Sequence, residues 1–458
     1  MRERLVLWAE RLSVAGLAVL LATLPFWRHR VLVHRAGDPV FFEFHDVTLY
    51  TNDLAWFGAV GAWLLSRLLH RAPAKMRLGP WFVTGPLAGF VVLAYLGAPQ
   101  AVDPLYAGYQ GVRLLLLLGL YLLVLNLPLA QGAIAWPLAA GLVIQAAVAV
   151  PQFVLGQSLG LQRLGEVAVK AGWPGASVVM VGEQRWLRAY GLAQHPNLLA
   201  GCLVAMLLVV IGYYLVQRRG RRLLLLITLA MGFGALLLTF SRAAWAGMFV
   251  GFGALLVLRV WAWRGGQGSP RWAGLGLLAA VLALITVGFV ALNWTLLQPR
   301  LGLTSQGTEI RSVEARLMQV PAAVTLIRMR PLLGVGLGNY PTALYELARE
   351  TVAAYPVYQP VYSVPLLVTA ELGLLGGLLW VLLLLAPWLG LWLRRRRVRM
   401  TAWWAGLSGA LLALLAVSFA DFYVWSSHQG QLALWLVLGL WAREWSALAS
   451  GKGVSAYG

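Results

Sequence analysis

The residues best placed to do chemistry are arginines at positions a solvated loop does not explain. In Leu236-Leu-Leu-Thr-Phe-Ser-Arg-Ala-Ala-Trp-Ala-Gly, Arg242 lies between two apolar runs with almost no linker. A cation at the bilayer centre costs about 2.5 to 3.5 kcal/mol on insertion scales, so such a residue marks a pathway or a partner by default. The competing reading is an arginine snorkelling to headgroups. A second group is Trp186-Leu-Arg-Ala-Tyr-Gly-Leu-Ala-Gln-His-Pro-Asn, where a loop carrying Arg185 and Arg188 turns into an apolar run and His195, Pro196 and Asn197 occupy the helix start. Asn caps and Pro suits a first turn, so a structural cap explains Pro196 and Asn197 as well as function does. A satisfied interfacial histidine accounts for His195 equally well. The third group runs from Arg311 through Arg316 to Pro331-Leu-Leu-Gly-Val-Gly-Leu-Gly-Asn-Tyr, where Gly334, Gly336 and Gly338 permit a tight turn or nest before Asn339. Guanidinium forks bind phosphate bidentately and stay charged at any working pH, so these arginines suit a polyanionic lipid head such as a pyrophosphate. No Walker loop, nucleophile elbow, HExxH or paired acids accompany them, which disfavours metal catalysis and suggests no cofactor.

The elements that must hold these residues are membrane spans. Of 458 residues 60% are hydrophobic and 11% charged, against about 25% charged in soluble domains, which excludes an ordinary soluble enzyme. The 22 Trp, 15 Tyr and 15 Phe exclude disorder. A hydrocarbon core about 30 Å thick needs ~20 apolar residues per crossing. Apolar runs place twelve spans near 9–27, 53–69, 80–97, 111–127, 133–154, 197–216, 223–240, 243–260, 273–294, 366–393, 402–422 and 430–443. The expected fold is therefore all-α and polytopic, one integral membrane domain over 1–458. The N-terminal run shows no cleavage pattern and reads as a retained first span. The single Cys202 cannot form an internal disulfide.

Net charge is +20, and its distribution sets the orientation. With the N-terminus inside, most Lys and Arg fall on cytoplasmic segments, including the runs Gln217-Arg-Arg-Gly-Arg-Arg and Arg394 to Arg397, as the positive-inside rule requires. These clusters then need no nucleic acid to explain them. Both termini are expected in the cytoplasm and the working face outside it. Two outer segments are long, 155–196 and 295–365. The second, between spans 9 and 10, shows helical spacing over Glu314 to Arg330 and again from Pro341 to Tyr355.

Three segments resemble the O-antigen ligase and polymerase superfamily of bacterial membrane glycosyltransferases. They are Gly191-Leu-Ala-Gln-His-Pro-Asn, Leu238-Thr-Phe-Ser-Arg-Ala-Ala-Trp, and Arg316 through Pro331-Leu-Leu-Gly-Val-Gly-Leu-Gly-Asn-Tyr with Ala370-Glu-Leu-Gly after it. The resemblance covers roughly residues 190–385. It implies a GT-C-like fold in the bacterial inner membrane, and metal-independent, inverting transfer of a glycan from an undecaprenyl-pyrophosphate carrier to a lipid, core or glycan acceptor outside that membrane. It also implies that arginines hold the pyrophosphate, Arg242 matching the family's Ser-Arg arginine and Arg316 the one opening the loop helix. One position departs from the family's pattern: where its members carry His-Asn before Glu-Leu-Gly, this chain has Tyr362 and Ser363. A phenol is a poor general base at neutral pH, so Tyr362 is expected to orient the acceptor while another group such as His195 or Glu314 acts.

Arg242, Arg316, Tyr362 and His195 are the expected reacting group. Arg188, Arg311, Asn197, Ser241, Gly336 and Asn339 are expected to bind substrate. Membrane lipids and the two glycan substrates are the expected partners. Two other readings remain: a lipid-linked oligosaccharide flippase, and a degenerate, non-catalytic relative.

Overall fold

The computed structural model describes residues 1–35, 40–70, 75–267, 272–303, 307–351 and 358–449. Helices dominate. In chain order they are α1 (Arg2–Ala22), α2 (Thr51–Leu69), α3 (Trp81–Gly97), α4 (Pro104–Asn126), α5 (Gln131–Leu155), α6 (Pro196–Val216), α7 (Arg219–Leu238), α8 (Arg242–Arg264), α9 (Trp272–Arg300), α10 (Gly307–Met329), α11 (Tyr340–Thr351), α12 (Val364–Leu393), α13 (Ala402–Val417), α14 (Tyr423–Ser426) and α15 (His428–Ala449). Among the described residues, nine helices are long and apolar enough to cross a membrane. Each of the twelve expected runs falls on a helix, but α2, α13 and α15 are not among those nine.

Two antiparallel hairpins sit in segments expected only as loops. β1 (His29–Val33) pairs with β2 (Val47–Tyr50) before α2, and β3 (Val178–Val181) with β4 (Gln184–Leu187) before α6. The long segment between α9 and α12 starts later than its predicted boundary, because α9 continues to Arg300, and it contains α10 and α11 where helical spacing is found.

α6 is the central post of the bundle, buried along nearly its whole length and carrying the unpaired Cys202. It crosses α13 at Gly212 and Gly406, where a Cβ on either residue would press into the facing backbone. Small residues at such a crossing let two helices approach closely, which is how packing compensates for the weak hydrophobic drive inside lipid.

α12 is broken at Gly373, whose φ of 74° and ψ of −175° interrupt the helix. The gap is filled by the Pro331–Asn339 loop, which pairs with it as an added strand would. Val335 N–H donates to Ala370 O at 2.9 Å, Gly336 N–H to Glu371 O at 3.1 Å, and Leu374 N–H to Pro331 O at 2.8 Å. Gly336 (φ 102°) sits so close to Ala101 that a side chain would collide with it. The two glycine-bearing motifs are thus halves of one lock. That lock positions Gly338 beneath the Tyr106 ring at the start of α4.

Candidate active site

Several elements begin at the same end of the bundle, and a cavity of about 340 Å³ opens among them. Its walls come from the β1–β2 segment, the first turns of α4, α6 and α15, the approach to α12, and the turn joining α13 to α14.

One wall, lined by His195, Asn197, Tyr362 and Asp421, is backed by arginines that do not themselves line the cavity. Arg188 leaves the end of β4 and is buried. Its Nε donates to Thr239 O at 2.6 Å, Nη1 to Ser177 Oγ at 2.8 Å and Nη2 to Asn197 Oδ1 at 2.5 Å. Asn197 Nδ2 in turn donates to Asp421 Oδ2 at 2.8 Å. Asp421 also accepts from Phe422 N–H at 2.9 Å. Arg188, Asn197 and Asp421 thereby tie three distant segments into one rigid edge of the cavity. Arg316, on α10, lies over the Tyr362 ring at 4.5 Å and within electrostatic reach of Asp421. Its buried Nε has no hydrogen-bond partner among the described residues.

His195 caps α6, which corrects the expectation that Asn197 does so. Its Nδ1 accepts from Asn197 N–H at 3.1 Å, Pro196 takes the first helical position and Asn197 the second. Because Nδ1 spends its lone pair on the backbone, the neutral ring carries its proton on Nε2 and is a donor there. The ring is exposed to the cavity, and the protein packed around that hollow lowers its pKa. Arg188, Arg300 and Arg316 push in the same direction, so it is held neutral at about 3. Burial pushes the Tyr362 hydroxyl above its ordinary value, and Asp421 adds to this. Gln359 Nε2 donates to that hydroxyl at 2.9 Å.

Arg242 stands one layer back. It begins α8, its Nη1 donates to Arg300 O at 3.0 Å, and it does not line the cavity. Ser241 precedes it in a sharp corner where Phe240 takes a φ of 49°, held by packing against Phe153, Trp245 and Phe289. This corner presents Thr239 O to Arg188 and Leu238 O to Ala189 N–H, so the Thr-Phe-Ser-Arg motif braces the arginine-backed wall from behind. Gly336 and Asn339 belong to the lock described above, and buried Asn339 Oδ1 accepts from Asp103 N–H at 2.5 Å. The side chains of Arg311 and Glu314 lie outside the described residues.

The opposite wall holds residues that sequence reading passed over. Glu43, Asp46 and Tyr50 come from the first hairpin, Tyr106, Tyr109 and Arg113 from α4, and His428 from α15. Arg113 is paired with Asp53 at 3.7 Å and donates to Tyr109 Oη at 3.1 Å. His428 stacks on Tyr50 at 4.3 Å. No local spacing signals any of them, since they meet only through packing across the chain.

A helical membrane protein with a polar pocket at one end of its bundle, backed on one side by arginines, is the class these features define. Residues 224–381 match the family model described as O-antigen ligase. That match, over about a third of the chain, supports membership of the O-antigen ligase and polymerase family and, in general terms, glycan transfer of the ligase or polymerase type. No curated protein matches it.

Proposed function

We propose that the chain transfers a glycan from an undecaprenyl-pyrophosphate carrier to an acceptor hydroxyl, as a ligase onto a lipid or core acceptor or as a polymerase onto another lipid-linked glycan. The observation that carries this reading is the set of guanidiniums gathered behind His195 at one side of the cavity. Arg188, Arg300 and Arg316 all act on His195, while among the cavity-lining acids only Asp421 is tied to that side. Guanidiniums fixed behind this one wall keep their charge at any working pH and favour an anion on that side of the cavity.

The chemistry follows from that charge. As the bond between the anomeric carbon and the pyrophosphate oxygen breaks, negative charge grows on the leaving group. Cations already fixed in place stabilise that change more than the ground state, and removing one such group typically costs about 10²–10³ in rate. Arg316, with a spare N–H and a rigid seat on Tyr362, suits contact with the diphosphate. His195 Nε2 suits donation to a carrier or sugar oxygen. The arginines supply the positive charge that a metal would otherwise bring.

Helix length and charge support an outer location for the site. α6 runs 21 residues, ~31 Å, from His195 at the cavity to the Arg218–Arg222 cluster, and α12 runs from the cavity to Arg394–Arg397. Basic clusters are retained in the cytoplasm. This favours a cavity that opens on the outer side of a bacterial inner membrane, where a flipped carrier lipid presents its head.

The test uses purified protein in vesicles with a labelled undecaprenyl-pyrophosphate oligosaccharide. Label moving to an acceptor with release of the carrier is expected, and Arg316→Ala should reduce that release at least about 100-fold. Movement of the lipid across the vesicle wall without bond cleavage would replace this reading with a flippase.

A further inference from the structure

Glycan transfer also requires a group that accepts the proton of the attacking hydroxyl, and neither His195 nor Tyr362 suits that task. His195 Nδ1 is committed to the backbone, and the Tyr362 hydroxyl is held protonated. Three acids line the cavity among the described residues: Asp46, Asp421 and Glu43. Asp46 is held by His34 Nδ1 at 2.8 Å and Arg35 N–H at 2.9 Å, with His45 Nδ1 2.7 Å away. Asp421 is bound by Asn197 and by the Phe422 backbone and faces Arg316. Glu43 alone of the three has no hydrogen bond to its carboxylate from a described residue.

The wall around Glu43 is built to hold something neutral. Its backbone carbonyl accepts from Tyr106 Oη at 2.8 Å, Gln110 Nε2 donates to that same phenol at 2.7 Å, and Tyr109 Oη donates to Thr48 O at 2.6 Å. These contacts fix the aromatic rings. The cation on this side, Arg113, is balanced by Asp53. Rigid aromatic faces, hydroxyls and amides without net positive charge suit a sugar ring rather than a phosphate. The cavity thus has one side backed by guanidiniums, suited to the leaving group, and another that is aromatic and acidic.

We propose that Glu43 is the general base for the acceptor, and that the Tyr106–Tyr109 wall beside it seats the acceptor sugar. The proposal rests on the reading of this cavity as a glycan-transfer site. The Glu43 carboxylate takes the proton from the acceptor hydroxyl, and that oxygen forms the new bond to the anomeric carbon. The bond to the pyrophosphate breaks, its electron pair leaving on the polyprenyl pyrophosphate, and protonated Glu43 later returns its proton to water. Enclosure raises the Glu43 pKa to about 7, which places its ionisation where a base works best.

The experiment compares wild type, Glu43→Gln and Glu43→Asp in two assays: binding of undecaprenyl pyrophosphate alone, and transfer from the labelled carrier between pH 5 and 9. The wild-type kcat should rise about tenfold per pH unit below 7 and level off above it, as a single required carboxylate ionises. Glu43→Gln should lose about 100-fold or more in kcat while binding the carrier as wild type does, and Glu43→Asp should fall between them. A Glu43→Gln protein that transfers within twofold of wild type overturns the role of Glu43 and leaves the transfer reading standing. A wild type that binds carrier but never transfers removes both. Should Glu43→Gln fail to fold, a flat wild-type profile from pH 5 to 8 overturns the proposal by itself.

Discussion

His195 shows how one residue can be read correctly by position and differently by role. Its place at a helix start is visible in His-Pro-Asn, but which atom caps the helix depends on a backbone N–H two residues on, and no spacing rule displays that. The geometry carries a pH consequence. The folded-state pKa is about 3, below the ordinary histidine value near 6.5, so the unfolded chain binds more protons between those limits. Stability contributed by His195 is present above about pH 6.5 and is lost as pH falls toward 3. Thermal unfolding in detergent at pH 7 and pH 4.5 should show a smaller pH effect for His195→Asn, which keeps a capping side chain but cannot titrate. Equal pH effects in the two proteins would contradict the assignment. Arg188, Arg316, Asn197 and Tyr362 are legible in the same motifs and converge on the cavity region. Glu43, Arg113 and Asp421 are not, because each comes from a different segment with no local pattern and acquires meaning only through packing.

Helices were the easiest elements to foresee, since an apolar run of about 20 residues has few other ways to satisfy its backbone in lipid. What the apolar runs conceal is where a helix stops. Residues 402–422 read as one span, yet α13 ends at Val417, and Ser418 O instead accepts from Val364 N–H at 2.8 Å. That early stop frees Asp421 to turn into the cavity. Gly373 likewise hides among apolar neighbours, and only the docked Pro331–Asn339 loop reveals why the helix must break there. Gly336→Ala tests the lock. The added methyl would meet Ala101 at a φ of 102°, a backbone region that costs of order 1–3 kcal/mol for a side-chain-bearing residue. A lower unfolding temperature and weaker transfer are expected together, because the same lock supports Tyr106. An unchanged unfolding temperature would show that the loop and the α12 break are not coupled as described.

At the scale of the whole molecule, charge and shape agree. Two helices that start at the cavity, α6 and α12, end at arginine clusters, so one orientation satisfies both the positive-inside rule and an outward-facing site. The buried, lone Cys202 makes this testable, since surface cysteines can be introduced against a silent background. A cysteine at exposed Arg185 should react with an impermeant thiol reagent added outside spheroplasts, and one at exposed Arg396 should react only after the membrane is opened. The reverse pattern would place the cavity in the cytoplasm, where the proposed substrate side fails.

The most direct measurement is the position of the carrier itself. A structure of the protein in a lipid nanodisc with undecaprenyl pyrophosphate should show the diphosphate against the arginine-backed wall, hydrogen-bonded to Arg316 and within reach of His195 Nε2, with the aromatic wall left open for the acceptor. A diphosphate seated on the Tyr106–Glu43 side, or anywhere outside the cavity, would contradict the account.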